Sequence, residues 1–301
     1  MVFSVGDSLC SRYSMAMSLC SVMAMALVVC HHLPTYPQGG ILEWGVPWFY
    51  FASGFWYAAK PRKLSAEILK RIRTLLVPYF LLNAIWFPVL FLANWVGWKY
   101  LGAERVVDGS AASVIRCLGF NPWAWPALVP TWFLRALFVA SIGVGGIWAV
   151  LDAVVQEGRQ PRIVLRALTA LVLWAVVLMR HRWCPVDGHW ADFFVFGVPL
   201  YGMACFALGG FTSTMVGVDG SLAIHPFVTT VRRHLMPVYV LHAIVIVVCG
   251  WVARAAGAYD ILLTINGDAA MWIVGVVGAL LLGEAVRRCS PRFAELIFGG
   301  R

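Results

Sequence analysis

The residues of this chain best suited to chemistry are two adjacent histidines at the end of its first apolar segment. His31 and His32 close the run LVVCHH, and a loop containing proline and glycine follows them. Histidine is the residue type that changes charge near neutral pH, so a neutral imidazole can accept a proton from a hydroxyl group as a general base. Helices that face lipid have no need of histidine, so this pair marks the first candidate site.

Polar side chains also interrupt later apolar segments. Arg135 lies one turn into PTWFLRAL, where it is either an interfacial arginine or a cation facing an internal cavity. His242 lies within MPVYVLH and is either a packed histidine or a functional one. Ser53 lies in the second apolar segment, where serine usually bonds back to its own helix. Gly54 beside it would allow close approach by another helix or by a ligand.

A basic stretch separates the second and third apolar segments. Its sequence, KPRKLSAEILKRIR over residues 60–73, holds six basic residues and one glutamate. Such a stretch either marks a cytoplasmic loop that contacts lipid headgroups or binds a ligand with several phosphates, which arginine and lysine together recognise well.

The composition places these residues in a membrane protein. Hydrophobic residues make up 61% of the 301 residues, charged residues only 12%, and the mean hydropathy is +0.80. A soluble domain carries roughly 25% charged residues, so the sequence predicts an all-α, polytopic membrane protein. The net charge of +9 does not indicate nucleic-acid binding, because the basic residues collect in a few loops. The eight cysteines are scattered without a CxxC motif, which indicates neither a disulfide framework nor a metal site.

The apolar runs predict about eight transmembrane helices, and up to ten, in a single membrane domain over 1–301. The first run is too long for a signal peptide and is predicted to be an uncleaved span, whereas residues 117–134, rich in proline and tryptophan, are predicted to be interfacial or re-entrant. The predicted spans are about 13–33, 44–59, 74–98, 131–151, 163–179, 191–213, 235–253 and 269–286.

The distribution of lysine and arginine sets the orientation. With the N-terminus inside, 16 of these residues fall on the inner side and 6 on the outer side, with Arg135 set aside as intramembrane. Cytoplasmic loops carry the excess of basic residues in membrane proteins. Both termini are therefore predicted to be cytoplasmic, which puts His31 and His32 at the outer face of the cell membrane.

Six segments, in order along the chain, carry a resemblance to a known family. They are VVCHH at the end of the first span, VPWFYFASGF, KRIRTLLVPYF, PTWFLRAL, MPVYVLH and the terminal LIFGGR. Together they resemble the integral-membrane acyltransferase 3 family, whose members move acyl groups from coenzyme A to extracytoplasmic glycans. The chain departs from that family in two respects. Ser21 stands eleven positions before His32, where the family usually has arginine or lysine, and eight spans are visible where about ten are typical.

The resemblance implies an acyl-CoA-dependent enzyme with a cytosolic donor, for which acetyl-CoA is favoured, and a glycan or glycolipid acceptor on the outer side. It implies His32 as the general base, with His31 as the second candidate for that role, and Arg135 as the cation that stabilises the oxyanion. The other implied site residues are Ser53, Lys70, Arg71 and Arg73 for acyl-CoA binding, with Glu43, Tyr239 and His242 in support. No permanently bound cofactor, metal or nucleic acid is expected; the partners are acyl-CoA, the acceptor and the lipid bilayer.

Two other function classes stay open on the sequence. A transporter or flippase for a lipid-linked sugar would also carry intramembrane arginine and histidine, although the proline- and glycine-broken helices expected in corresponding halves of many transporters are not visible. A catalytically inactive relative that serves as a binding subunit is the second alternative, and Ser21 in place of a basic residue is its support.

Overall fold

The fold is described by a computed structural model and consists almost entirely of α-helices. The residues that it describes are 5–33, 45–59, 63–95, 110–118, 126–155, 158–183, 194–195, 198–218 and 226–299. Each of the eight predicted apolar segments contains a helix, as expected for apolar segments without internal charge clusters. In the predicted span 191–213, however, the helix begins only at Leu200, after two short strands, and its 17 residues are fewer than a full crossing needs.

The helices are numbered in chain order. They are α1 Val5–His31, α2 Gly45–Ala59, α3 Leu64–Arg71, α4 Val77–Trp95, α5 Ala111–Leu118, α6 Trp132–Val154, α7 Arg159–Trp183, α8 Leu200–Val216, α9 Pro226–Ala255, α10 Tyr259–Leu262, α11 Ile265–Cys289 and α12 Pro291–Ile297. A π-helical turn, Ile72–Leu76, connects α3 to α4, and a 3-10 turn, Val129–Thr131, precedes α6. Two short strands, β1 Phe194–Val195 and β2 Val198–Pro199, pair antiparallel before α8.

Six of the helices in the described residues are long and apolar enough to cross a membrane, which confirms the prediction of an all-α polytopic membrane protein. The second apolar segment differs from a full span. Helix α2 has 15 residues, or about 22 Å at 1.5 Å per residue, and the hydrocarbon core is about 30 Å thick. The fifth span is longer than predicted, since α7 has 25 residues. The total number of spans and the cytoplasmic termini stay predictions.

The segment predicted to be interfacial or re-entrant is not one continuous helix. Helix α5 ends at Leu118, and the described residues 126–131 form a bend and the 3-10 turn that leads into α6. Proline at positions 126 and 130 removes backbone donors that a continuous helix would need. Residues 119–125 lie outside the described residues.

The described residues group into two compact units. The first unit comprises Met1–Ser21, Val46–Ile72 and Ala136–Thr229, and the second comprises Val22–Gly45, Arg73–Arg135 and Thr230–Arg301. The single membrane domain over 1–301 stays a prediction.

In the first unit, α2 and α8 approach each other through two glycines. A Cβ added at Gly54 would collide with the backbone of Phe206, and one added at Gly209 would collide with the backbone of Phe51. Only glycine leaves room for such backbone contact between helices. The close approach by another helix predicted for Gly54 is therefore confirmed, and it brings α2 against α8.

In the second unit, the end of α1 packs against α11. Trp272 Nε1 on α11 donates a hydrogen bond to the Ala26 carbonyl 3.2 Å away. The chain end is also anchored in this unit, because Gly299 has a φ of 71° and lies against the Thr74 carbonyl in the π-helical turn. Val29 is fully buried in α1, so the end of the helix that carries the two histidines is well packed.

Candidate active site

The end of α1 brings His32 against His242 of α9 in the second unit. His32 Nδ1 and His242 Nε2 are 3.4 Å apart, and the ring centroids are 5.0 Å apart at an interplanar angle of 72°. Each histidine also contacts a backbone carbonyl one turn earlier in its own chain segment: His32 Nδ1 lies 2.7 Å from the Val28 oxygen, and His242 Nδ1 lies 2.9 Å from the Val238 oxygen.

These carbonyls indicate the tautomers of the two rings. A carbonyl oxygen can only accept a hydrogen bond, so the Nδ1 atoms of His32 and His242 each carry a proton. The Nδ1–H of His32 is then shared between the Val28 carbonyl and Nε2 of His242. In neutral His32 this assignment leaves the lone pair on Nε2, where the ring can accept a proton.

His31 lies beside this pair but is held differently. Its ring centroid is 5.8 Å from that of His32, in an edge-to-face arrangement. Its Nδ1 is buried and has no hydrogen-bond partner among the described residues. The two neighbouring histidines are therefore not equivalent: the Nδ1 of His32 contacts both the Val28 carbonyl and His242, whereas that of His31 has no such partner among the described residues.

The loop before α6 is fixed to α4 by Asn83. The Asn83 side chain donates to Thr131 Oγ1 at 2.8 Å and accepts from Leu128 N at 2.8 Å, and Thr131 Oγ1 donates to the Leu128 carbonyl. Tyr239 of α9 donates its hydroxyl hydrogen to the Pro130 carbonyl in the same loop. Asn83 is fully buried, so this network replaces the backbone hydrogen bonds that the irregular loop cannot make for itself.

Tyr239 connects this loop to the histidine pair. Its ring centroid lies 6.3 Å from that of His242 and 5.6 Å from that of Phe133. Arg135, one turn into α6, is 97% buried, and its guanidinium carbon lies 6.0 Å from the centroid of the fully buried Tyr79 ring. Arg135 is therefore a cation enclosed by the protein.

A second cluster of predicted site residues lies in the first unit, between α2 and α3. Arg71 Nε donates to Glu67 at 2.7 Å, and Arg71 Nη1 donates to Ser53 Oγ at 3.0 Å. The guanidinium also lies 5.9 Å from the Tyr57 ring centroid. Both partners of the ion pair are buried, whereas Lys70, whose Nζ is 3.6 Å from Glu67, is exposed. Arg73 is also exposed, and Glu43 lies outside the described residues.

Comparison with known protein families identifies the chain. A family model described as an acyltransferase domain, that of acyltransferase family 3, matches residues 19–216, about two thirds of the chain. The chain belongs to the acyltransferase 3 family. No curated protein and no solved structure matches the chain. The matched residues of this acyltransferase include His32, Ser53, Arg71 and Arg135 and end before His242.

Ser21, at the position expected to be basic from the family resemblance, has two neutral hydrogen-bond partners. Ser21 is buried, donates to the Met17 carbonyl at 2.8 Å and accepts a hydrogen bond from Trp48 Nε1 at 3.1 Å. The serine hydroxyl thus both donates a hydrogen bond, to a backbone carbonyl, and accepts one, from the Trp48 indole.

Two residues of this acyltransferase were not predicted as part of either cluster. The sequence could have pointed to Asn83, because an amide in an apolar segment is expected to face a polar partner inside the protein. It could also have pointed to Glu67, which is the one acidic residue among six basic ones over 60–73. Among the described residues, no group of three histidine, cysteine or acidic side chains is placed to hold a metal ion.

Proposed function

We propose that this acyltransferase is an O-acyltransferase of the cell membrane that moves an acyl group, acetyl in the favoured case, from cytosolic acyl-CoA to a hydroxyl of an extracytoplasmic saccharide. The observation that carries the proposal is the orientation of His32. With Nδ1–H directed at the Val28 carbonyl and at His242, its Nε2 lone pair is the part of the ring that can act as a base.

The proposed reaction is a single acyl transfer. His32 Nε2 takes the proton of the acceptor hydroxyl as the hydroxyl oxygen attacks the thioester carbonyl. The tetrahedral intermediate then expels the coenzyme A thiolate, and the proton on His32 passes to the sulfur to give the free thiol. Arg135, a buried cation, would stabilise the negative charge on the carbonyl oxygen, since such charges interact strongly in a site with little water.

We assign His242 the role of a positioning residue. When His32 takes a proton at Nε2, the positive charge is shared with Nδ1–H. The Val28 carbonyl and His242 Nε2 both present lone pairs to that hydrogen and so favour the charged ring. His242 is fully buried, its Nδ1 contacts the Val238 carbonyl, and its ring lies beside that of Tyr239. These contacts keep its Nε2 directed at His32.

The donor would be recognised through the phosphates of its nucleotide. Lys70 and Arg73 are exposed cations and suit this role. The guanidinium of Arg71 is already hydrogen-bonded to Glu67 and Ser53, so phosphate binding by Arg71 would use its remaining N–H groups. The acceptor would be a glycan or glycolipid, which brings a hydroxyl to His32 and needs no metal or bound cofactor.

The test of the proposed function is coenzyme A release by the purified protein in detergent. We expect thiol release from acetyl-CoA, stimulated by a saccharide acceptor and accompanied by acetylation of that acceptor, which mass spectrometry detects. Saturable coenzyme A binding without turnover across a panel of glycans would instead support an inactive binding subunit. Exchange of an intact lipid-linked sugar across vesicles without acyl-CoA would support a transporter, and either outcome would overturn the proposal.

The role of His242 predicts a specific kinetic pattern. We expect His242→Phe to lower kcat about 2- to 10-fold, the worth of one hydrogen bond, with little change in the KM for acyl-CoA. His242→Gln keeps an acceptor at the end of a side chain of similar length and should retain more of the activity. If phenylalanine and glutamine are equally active, or if the KM changes and kcat does not, His242 does not position His32.

A further inference from the structure

The first unit holds a buried arginine away from the candidate active site. Arg166 of α7 is 92% buried, its Nη1 donates to Thr214 Oγ1 of α8, and its guanidinium carbon lies 4.9 Å from the ring centroid of Trp148 on α6. Among the described residues, no carboxylate lies within 4.0 Å of this guanidinium. Asp152, one turn after Trp148, pairs at 3.9 Å with Arg162 and attracts Arg166 only from a longer distance. A buried cation that no carboxylate contacts directly is costly, so this position favours an anionic ligand.

Two donors at this position also lack acceptors in the described part of the chain. Arg166 Nε and Trp148 Nε1 are both buried, and neither has a hydrogen-bond partner there. Leaving such a donor unsatisfied costs about 1–3 kcal/mol, and more for a charged group. Trp148 is also held tightly in place, because a Cβ at Gly210 would collide with its ring. The missing partner is therefore an acceptor from outside the described residues.

An apolar groove lies between α7 and α8, and its first lining residue on α7 directly follows Arg166. It has a volume of about 220 Å³ and is lined by Ala167, Ala170, Leu171 and Trp174 of α7 and by Leu208 and Phe211 of α8. Ala167 directly follows Arg166, and Phe211 lies three positions before Thr214. From Ala167 to Trp174 the groove extends about 10 Å along α7. An anion-binding end followed by an apolar groove matches a molecule with an anionic headgroup and a hydrocarbon chain.

The surrounding charges agree with an anionic ligand. The same end of α7 carries Arg159, whose Nη2 donates to the Met215 carbonyl at 2.9 Å, and Arg162, whose partner is Asp152. In the described residues this end of α7 and its neighbours therefore carries three arginines and one acidic side chain. The excess of basic residues also predicts that this end faces the cytoplasm.

We propose that α6, α7 and α8 bind an anionic glycerophospholipid from the cytoplasmic leaflet. Its phosphate would accept a hydrogen bond from Arg166 Nε, and one acyl chain would lie in the groove beside Trp174. This lipid site goes beyond the proposed acyl transfer and does not depend on it, because none of its residues is assigned to the reaction.

The experiment uses phosphatidylglycerol with brominated acyl chains, since bromine quenches tryptophan emission only at contact. The purified, delipidated protein in detergent is titrated with this lipid and, separately, with brominated phosphatidylcholine. The quantity analysed is the quenching of Trp174 alone, obtained as the difference between the unaltered protein and Trp174→Phe. We expect the anionic lipid to reach half-maximal quenching at an approximately tenfold lower mole fraction than phosphatidylcholine. This factor corresponds to the contribution of one charge-assisted hydrogen bond.

The variants separate the headgroup from the chain. Arg166→Gln removes the cation, and Ala167→Leu partly fills the groove while it keeps the cation, so each should weaken quenching by phosphatidylglycerol. Arg233→Gln also removes one positive charge, in an exposed ion pair with Glu284 of the second unit, and should leave the titration unchanged.

Three outcomes would overturn the proposal. The first is equal quenching by both lipids, which would indicate ordinary solvation by the bilayer. The second is an unchanged titration in both Arg166→Gln and Ala167→Leu. The third is complete reversal of the quenching by millimolar glycerol 3-phosphate, because it would show that the site takes a soluble anion and does not need the chain.

Discussion

We expect His32→Ala to lower acyl transfer by about 10²- to 10⁴-fold, the typical contribution of a general base. The substitution removes the Nε2 lone pair that would take the hydroxyl proton, and it leaves the acceptor and acyl-CoA to react without a base. Coenzyme A release and acceptor acetylation by the purified variant measure the effect. The variant should still insert and fold, because α1 is held by Trp272 and by its own buried residues.

His31→Ala is the matched control for this prediction. His31 is the adjacent histidine in the sequence, but no carbonyl among the described residues orients its Nδ1. We therefore expect His31→Ala to retain activity within a few-fold of the unaltered protein. A larger loss in His31→Ala than in His32→Ala would transfer the role of base to His31. Full activity in the double alanine variant would exclude both histidines.

The second large effect is expected where the buried ion pair of α3 is broken. Arg71→Met removes the guanidinium that is paired with the buried Glu67 carboxylate, so we expect a loss of about 3 kcal/mol in the free energy of unfolding. In the purified protein this corresponds to a fall of about 5 °C in the apparent melting temperature. Thermal unfolding followed by intrinsic fluorescence measures it.

The double variant Glu67→Gln/Arg71→Met is the control, because it removes both charges. It should recover much of the lost stability, as expected for a pair in which each charge needs the other. Lys70→Ala should keep the melting temperature within about 1 °C of that of the unaltered protein, since substitutions at exposed positions have small effects. If Lys70 binds phosphate, the same variant should raise the KM for acetyl-CoA. Equal destabilisation by Lys70→Ala and Arg71→Met would contradict this distinction between the two residues.

The positions of the helices could largely be predicted from the sequence, because apolar length is a local signal. Helix α1 ends at His31, as the LVVCHH pattern predicts, and α6 covers 132–154 where 131–151 was predicted. The length of α2 shows the limit of this signal. An apolar segment bounded by loops predicts a helix, but its 15 residues do not by themselves make a transmembrane crossing.

The partners of the candidate site residues could not be predicted in the same way. His242 lies 210 positions after His32, and neither segment has a periodicity that tells which face meets which neighbour. The pairing of Arg71 with Glu67 was available from their spacing of four residues on a helix, but the contact with Ser53 depends on how α2 packs. Long-range contacts of this kind depend on the packing of the whole unit.

The glycine contacts between α2 and α8 have a consequence for permeability. A membrane protein must not let ions or protons leak through its helices, since the cell depends on its electrochemical gradients. At Gly54 and Gly209 the two backbones touch, and no file of water molecules fits between them. We therefore expect this contact to exclude water between α2 and α8, and glycine at both positions is what lets the two backbones touch.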